Sequence, residues 1–218
     1  MIKLCVFDLD GTLLNTLGSI TYYVNKTLQK HNIQPIGIDD VRSFVGSGSE
    51  NLIKKCLEFR DAYSSEDFFK KTHADYKSSY DKAPLYLTEP YAGIEELIAA
   101  LKTAGVRLAV LSNKPHSAVV PICEHFFPNA FDMVLGASAE NPLKPDPTML
   151  IDIMSKFSAE PSEVAYFGDT GTDIETGIRA NVSISCGVLW GFRDRGELVS
   201  AGASALVSHP SEIIEVIK

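Results

Sequence analysis

Apolar positions along the chain fall into two rhythms. Short unbroken apolar runs that end in polar or glycine-containing turns recur at residues 2–8, 106–113, 131–136, 164–169, 182–189 and 205–207. Runs of this length without alternation predict strands buried on both faces. Between the later runs lie helical patterns. The clearest places Ile94, Leu97, Ile98 and Leu101 at i, i+3, i+4 and i+7 and stops at Gly105, a residue suited to the position just past a helix end. Repetition of strand, helix and strand requires crossover connections, so the predicted fold class is α/β, a doubly wound parallel sheet.

The first two runs are separated by about 95 residues, from Asp10 to Val106, where a simple crossover needs only about a dozen. Within this gap Leu17, Ile20, Val24 and Leu28 make one helical stripe, and Leu52, Ile53, Cys56 and Leu57 make another. Phe68, Phe69, Tyr76 and Tyr80 suggest a third. Residues 15–83 are therefore expected to form a small helical cap inserted into a core of residues 1–14 and 84–218. Its hinges fall in the loop after Leu14 and at Lys82-Ala83-Pro84, where the proline marks a boundary.

Composition narrows the function classes. The 218 residues carry 20 Lys and Arg against 28 Asp and Glu, a formal net charge of −8. That balance argues against a nucleic acid or an anionic membrane as partner. Asp8 breaks the opening apolar run too early for a signal-peptide core, and no stretch approaches the roughly 20 apolar residues of a membrane span. The expectation is a soluble, cytoplasmic protein. Cys5, Cys56, Cys123 and Cys186 are scattered and form no CxxC pair, so they are expected to be buried reduced thiols rather than disulfides or zinc ligands. No pattern in the chain specifies an oligomeric state.

Candidate chemistry gathers where strands end. Asp8-Leu9-Asp10-Gly11-Thr12 directly follows the first strand, at the end where open parallel sheets bind ligands, and Gly11 permits a turn there. The competing reading is an acidic turn. Gly168-Asp169-Thr170-Gly171-Thr172-Asp173 follows another strand. Carboxylates at adjacent strand ends repel one another unless a hard cation neutralises them, and oxygen ligands suit Mg²⁺. Asp173 reads equally as a helix cap. Ser112-Asn113-Lys114 offers a hydroxyl, an amide and backbone N–H groups for anionic oxygens, or is a polar turn into the next helix. Lys144 is a cation held in a loop stiffened by Pro142, Pro145 and Pro147.

Softer signals lie elsewhere. Gly46 and Gly48 flank a serine ahead of the second stripe; such a loop could close over a substrate or serve only as a turn. Arg42 could grip a substrate carboxylate bidentately, or remain solvated. Trp190 and Phe192 fit either a domain junction or the core.

Together the four strand-end segments resemble the haloacid dehalogenase superfamily over essentially the whole chain. Asp8-Leu9-Asp10-Gly11-Thr12 matches its first motif, Ser112 the second, Lys144 the third and the Gly168 to Asp173 segment the fourth, in the right order. The insertion occupies the place of that superfamily's class I cap. The chain looks most like the phosphoglycolate phosphatase branch, through Arg42-Ser43-Phe44-Val45-Gly46-Ser47-Gly48, Ser112-Asn113-Lys114-Pro115, Lys144-Pro145-Asp146-Pro147 and Gly187-Val188-Leu189-Trp190-Gly191-Phe192-Arg193. The resemblance implies a Rossmann-like catalytic core and a Mg²⁺-dependent phosphatase acting on a small phosphate monoester such as phosphoglycolate. It implies Asp8 as the nucleophile that becomes an aspartyl-phosphate, and Asp10 as general acid and then base. Mg²⁺ would sit on the Asp8 carboxylate, the Asp10 carbonyl and Asp169, with Asp173 orienting the site. Ser112, the Asn113 N–H and Lys144 would hold phosphoryl oxygens, and Thr12, Arg42, Gly46 and Gly48 would join in binding substrate.

Sister activities separate on single residues. Dehalogenases and phosphonatases of this fold lack the carboxylate that Asp10 supplies here, and the cap-entry histidine typical of hexose-phosphate mutases is replaced by Ile20. The alternatives are a sugar-phosphate mutase, a pyrophosphatase or a nucleotidase. From other classes come a phospho-receiver domain, which would be shorter and lack the insertion, and a non-hydrolytic binding module.

Overall fold

The computed structural model describes residues 1–138 and 141–218. The chain divides into two compact units, one of residues 1–15 and 90–218 and the other Thr16–Glu89. Strands are β1 (Leu4–Phe7), β2 (Leu14–Asn15), β3 (Glu89–Pro90), β4 (Arg107–Pro115), β5 (Met133–Ala137), β6 (Val164–Gly168), β7 (Ile184–Val188) and β8 (Ala205–Val207). Helices are α1 (Leu17–Lys30), α2 (Ile38–Phe44), α3 (Gly48–Phe59), α4 (Glu66–Tyr80), α5 (Ile94–Thr103), α6 (His116–Phe126), α7 (Thr148–Lys156), α8 (Gly171–Arg179), α9 (Arg195–Ser200) and α10 (Ile213–Val216).

Among the described residues of the larger unit, six parallel strands run in the order β5-β4-β1-β6-β7-β8. Every residue of β1 is buried because helices cover both faces of a doubly wound sheet. Leu4 and Val6 face one side, where Ala109, Leu111, Val164 and Tyr166 from neighbouring strands meet Met149, Leu150, Ile153 and Met154 of α7. Phe7 stacks on Phe167 with ring centroids 4.9 Å apart. Helix α5 buries Ile94, Leu97, Ile98 and Leu101, the predicted stripe, and ends just before Gly105. The chain order places β4 and β6 on opposite sides of β1, and that reversal opens a crevice at the C-terminal strand ends.

The smaller unit is helical. Helix α1 buries Leu17, Ile20, Val24 and Leu28, and α3 buries Leu52, Ile53, Cys56 and Leu57. In α4 the buried face is Thr72, Tyr76 and Tyr80, whereas Phe68 and Phe69 are only half-buried. Ser65 caps that helix, its hydroxyl oxygen accepting from the Phe68 N–H at 3.2 Å. Helix α2 was not visible as a stripe because Val41 is its one buried residue. Within the unit, the Tyr23 hydroxyl donates to the Ala83 carbonyl at 2.9 Å, and Leu87 packs at Gly18.

Candidate active site

The turn after β1 is built by backbone hydrogen bonds. Asp8 N–H donates to Phe167 O at 2.9 Å, the Leu9 carbonyl accepts from Leu13 and Leu14, and Gly11 N–H donates to Leu14 O. Gly11 has φ +89°, and a side chain there would overlap the Asp169 carboxylate. Glycine is therefore required both by backbone conformation and by space. The turn brings Asp8 and Asp10 to the crevice, β4 delivers Ser112, Asn113 and Lys114, and Asp169 follows the end of β6.

Lys144 is the electrostatic centre. Its Nζ lies 2.8 Å from Asp8 Oδ1 and 2.6 Å from Asp173 Oδ1, and it also donates to Leu111 O at 3.3 Å. Burial alone would lower the pKa of this ammonium, but Asp173 and Asp8 outweigh burial and hold it well above the ordinary lysine value. Its backbone is locked by the Asn113 side chain, whose Oδ1 accepts from Lys144 N–H at 2.8 Å and whose Nδ2 donates to Lys144 O at 3.1 Å. Asn113 thus has a positioning task beyond the N–H contact expected of it.

Asp173 is saturated by protein partners. Oδ1 accepts from Lys144 and from the Tyr166 hydroxyl at 3.1 Å, while Oδ2 accepts from Thr170 N–H and from the Thr170 hydroxyl at 2.6 Å. It completes a capping box at the start of α8, so its capping and charge-orienting roles coincide. Asp10 is paired differently: Lys114 Nζ donates to both of its oxygens, at 2.9 and 3.0 Å. Lys114 and Tyr166 are site residues that sequence reasoning missed. The Ser112 hydroxyl oxygen is buried and accepts from Lys114 N–H at 3.3 Å.

Thr12, expected to bind substrate, is fully buried, and its hydroxyl donates to Asp169 Oδ1 at 3.1 Å. Trp190 and Phe192 also reach this corner, through Trp190 Nε1 to Thr12 O at 2.9 Å and Phe192 N–H to Asp169 Oδ2 at 2.8 Å. Arg42, Gly46 and Gly48 belong to the helical unit. Arg42 lies 3.6 Å from Asp39, and both glycines have positive φ.

Asp8, Asp169 and Asp173 each offer a carboxylate oxygen within 4.8 Å of the others, all buried. Burial, with Asp173 and Asp10 adding to it against the pull of Lys144, pushes Asp8 up to about 7. Burial and the charges of Asp173 and Asp8 hold Asp169 well above the usual carboxylate range. Asp8 Oδ1 has no partner besides Lys144 among the described residues. When all three carboxylates ionise against the one ammonium facing them, two negative charges are uncompensated among the described residues. A divalent cation with a preference for oxygen matches that deficit, so these residues fit a hard metal ion.

The sequence profile of the haloacid dehalogenase-like hydrolases matches residues 5–186, and the chain belongs to that family. It is 32% identical to a phosphoglycolate phosphatase of Vibrio parahaemolyticus over 99% of this chain and 96% of that one. It is 29% identical to a phosphoglycolate phosphatase of Aquifex aeolicus over the same shares. A solved structure from Lactobacillus delbrueckii subsp. bulgaricus, of a protein proposed to be a phosphoglycolate phosphatase, superposes with a TM-score of 0.93. That pair shares 27% identity over 99% of this chain and 98% of the other.

Proposed function

We propose that this hydrolase is a phosphatase that cleaves a small phosphate monoester of phosphoglycolate type through an aspartyl-phosphate on Asp8, with Mg²⁺ as cofactor. The observation that carries this reading is the Asp8 carboxylate at the end of β1, 2.8 Å from a lysine that is itself fixed by Asp173 and Asn113. The near full-length relatives named phosphoglycolate phosphatase support the substrate class.

In the first half-reaction an Asp8 oxygen forms a bond to phosphorus as the ester P–O bond breaks, and Asp10 hands a proton to the departing alkoxide. In the second, Asp10 takes a proton from water, whose oxygen displaces Asp8 and releases inorganic phosphate. Lys114, forked on both Asp10 oxygens, orients that carboxylate. The Ser112 hydroxyl, the Asn113 N–H and the Lys144 ammonium bind the phosphoryl oxygens. Asp8, the Asp10 main-chain carbonyl and Asp169 would hold Mg²⁺, with Asp173 steadying them through Lys144. When bound, the ion offsets the carboxylate charge and polarises the phosphoryl group.

No helix among the described residues is long and apolar enough to cross a membrane. All four cysteines are free and buried, which suits a reducing compartment, and we place the protein in the cytoplasm.

Steady-state rates on phosphoglycolate, a sugar phosphate, a nucleoside monophosphate and pyrophosphate test the proposal. Phosphoglycolate should be the best substrate, EDTA should abolish turnover, and Asp10→Asn should slow it on the order of 10² to 10⁴-fold. Fastest turnover of pyrophosphate or a nucleotide would overturn the substrate class. Inertness across the panel would overturn the phosphatase reading in favour of a receiver or binding module.

A further inference from the structure

We propose that Trp190, Gly191 and Phe192 form a strap that sets the orientation of the Asp169 carboxylate, which makes Trp190 a positioning residue for divalent metal binding. The proposal rests on the reading of Asp169 as a metal ligand. The strap lies just beyond β7 and meets the turn after β1. Trp190 Nε1–H donates to the Thr12 carbonyl at 2.9 Å, and the hydroxyl of that same Thr12 donates to Asp169 Oδ1 at 3.1 Å. Two residues after Trp190, the Phe192 N–H donates to the other oxygen, Asp169 Oδ2, at 2.8 Å. The contacts close into a ring: strap to turn, turn to carboxylate, carboxylate to strap.

Gly191 is what lets the ring close. A side chain at this position would overlap Asp169 Cβ and the Gly11 carbonyl, so the strap backbone lies directly against both the ligand and the turn. Asp169 is fully buried, so water cannot reorient its carboxylate. One donor on each oxygen fixes the plane of the group and leaves the remaining lone pairs aimed in set directions. Partners of this kind, one step removed from a metal, tune affinity by orienting the ligand. An aromatic residue that only filled the core would need any available acceptor for its N–H. Here the acceptor belongs to the residue whose hydroxyl holds the carboxylate.

The test is calorimetric titration of the metal-free full-length protein with MgCl₂. Wild type, Asp169→Asn and Trp190→Phe are compared with a protein carrying benzothienylalanine at 190, which keeps the bicyclic ring and lacks the N–H. Trp190 is the single tryptophan of the chain, so the replacement is confined to this site. Wild type should bind Mg²⁺ and Asp169→Asn should not. Both position-190 variants should bind on the order of 10-fold more weakly, with kcat recovering at saturating Mg²⁺. Wild-type Mg²⁺ affinity in the benzothienylalanine protein would overturn the strap's role, even if thermal stability fell, and this variant decides the matter if Trp190→Phe fails to fold. Undiminished Mg²⁺ binding by Asp169→Asn, or none by wild type, would overturn the ligand reading itself and the proposal with it.

Discussion

Replacing Asp8 by asparagine should remove activity and yet stabilise the metal-free protein. Asp8 is pushed from an ordinary 3.8 to about 7, chiefly by burial. Each unit corresponds to about 1.36 kcal/mol, so ionising Asp8 in the folded state costs roughly 4 kcal/mol relative to the unfolded chain. Because the folded value is raised, that stability is fully present below about 3.8, falls as pH rises towards 7, and is absent above it. The asparagine side chain resembles the protonated acid at every pH. In EDTA the two proteins should therefore be nearly equal in stability at pH 4, with Asp8→Asn ahead by up to about 4 kcal/mol at pH 8. Urea unfolding followed by circular dichroism at both pH values measures the gap. Excess Mg²⁺ should narrow or reverse it, since the ion binds the folded wild type. A variant less stable than wild type at pH 8 in EDTA, or a gap that does not widen between pH 4 and pH 8, would mean that burial does not penalise the Asp8 carboxylate.

Lys144→Met leaves Asp8 and Asp173 buried without their shared ammonium; urea unfolding in EDTA should show a loss of about 3–5 kcal/mol, together with loss of turnover. Asn113→Ala removes both hydrogen bonds that fix the Lys144 backbone, and the same measurement should show a loss of about 1–3 kcal/mol with a fall in kcat. The four cysteine thiols are buried and pushed up to about 12 by burial. A disulfide reagent at pH 8 should accordingly react slowly with the native protein and rapidly with all four thiols in urea.

The core was legible because strands buried on both faces leave unbroken apolar runs, and because Asp8 and Asp169 stand directly at strand ends, where position alone implies a ligand site. The four core motifs also carried the resemblance to the family. What the sequence did not reveal depends on contacts between distant positions. Lys114 looks like any surface lysine until the fold brings it to Asp10, 104 residues away, and the Trp190 to Thr12 bond spans 178. A hydroxyl beside two carboxylates gives no sign in the sequence of the partner it takes, so the bond from Thr12 to Asp169 was not legible there. Helix α2 was missed because a short helix with one buried residue leaves no periodic stripe. Leu87 is held at Gly18, 69 residues earlier, so its place in the helical unit was not legible either.

Whether Asp8 is the attacking group is decided by acid-quenching a single turnover of phosphoglycolate with Mg²⁺ and mapping the phosphoryl group by peptide mass spectrometry. Asp10→Asn is included to slow hydrolysis of the intermediate. A phosphoryl group is expected on Asp8, more abundant in Asp10→Asn supplied with an aryl phosphate, and none in Asp8→Asn. A phosphoryl group on any other residue, or turnover that persists in Asp8→Asn, would mean that Asp8 is not the nucleophile.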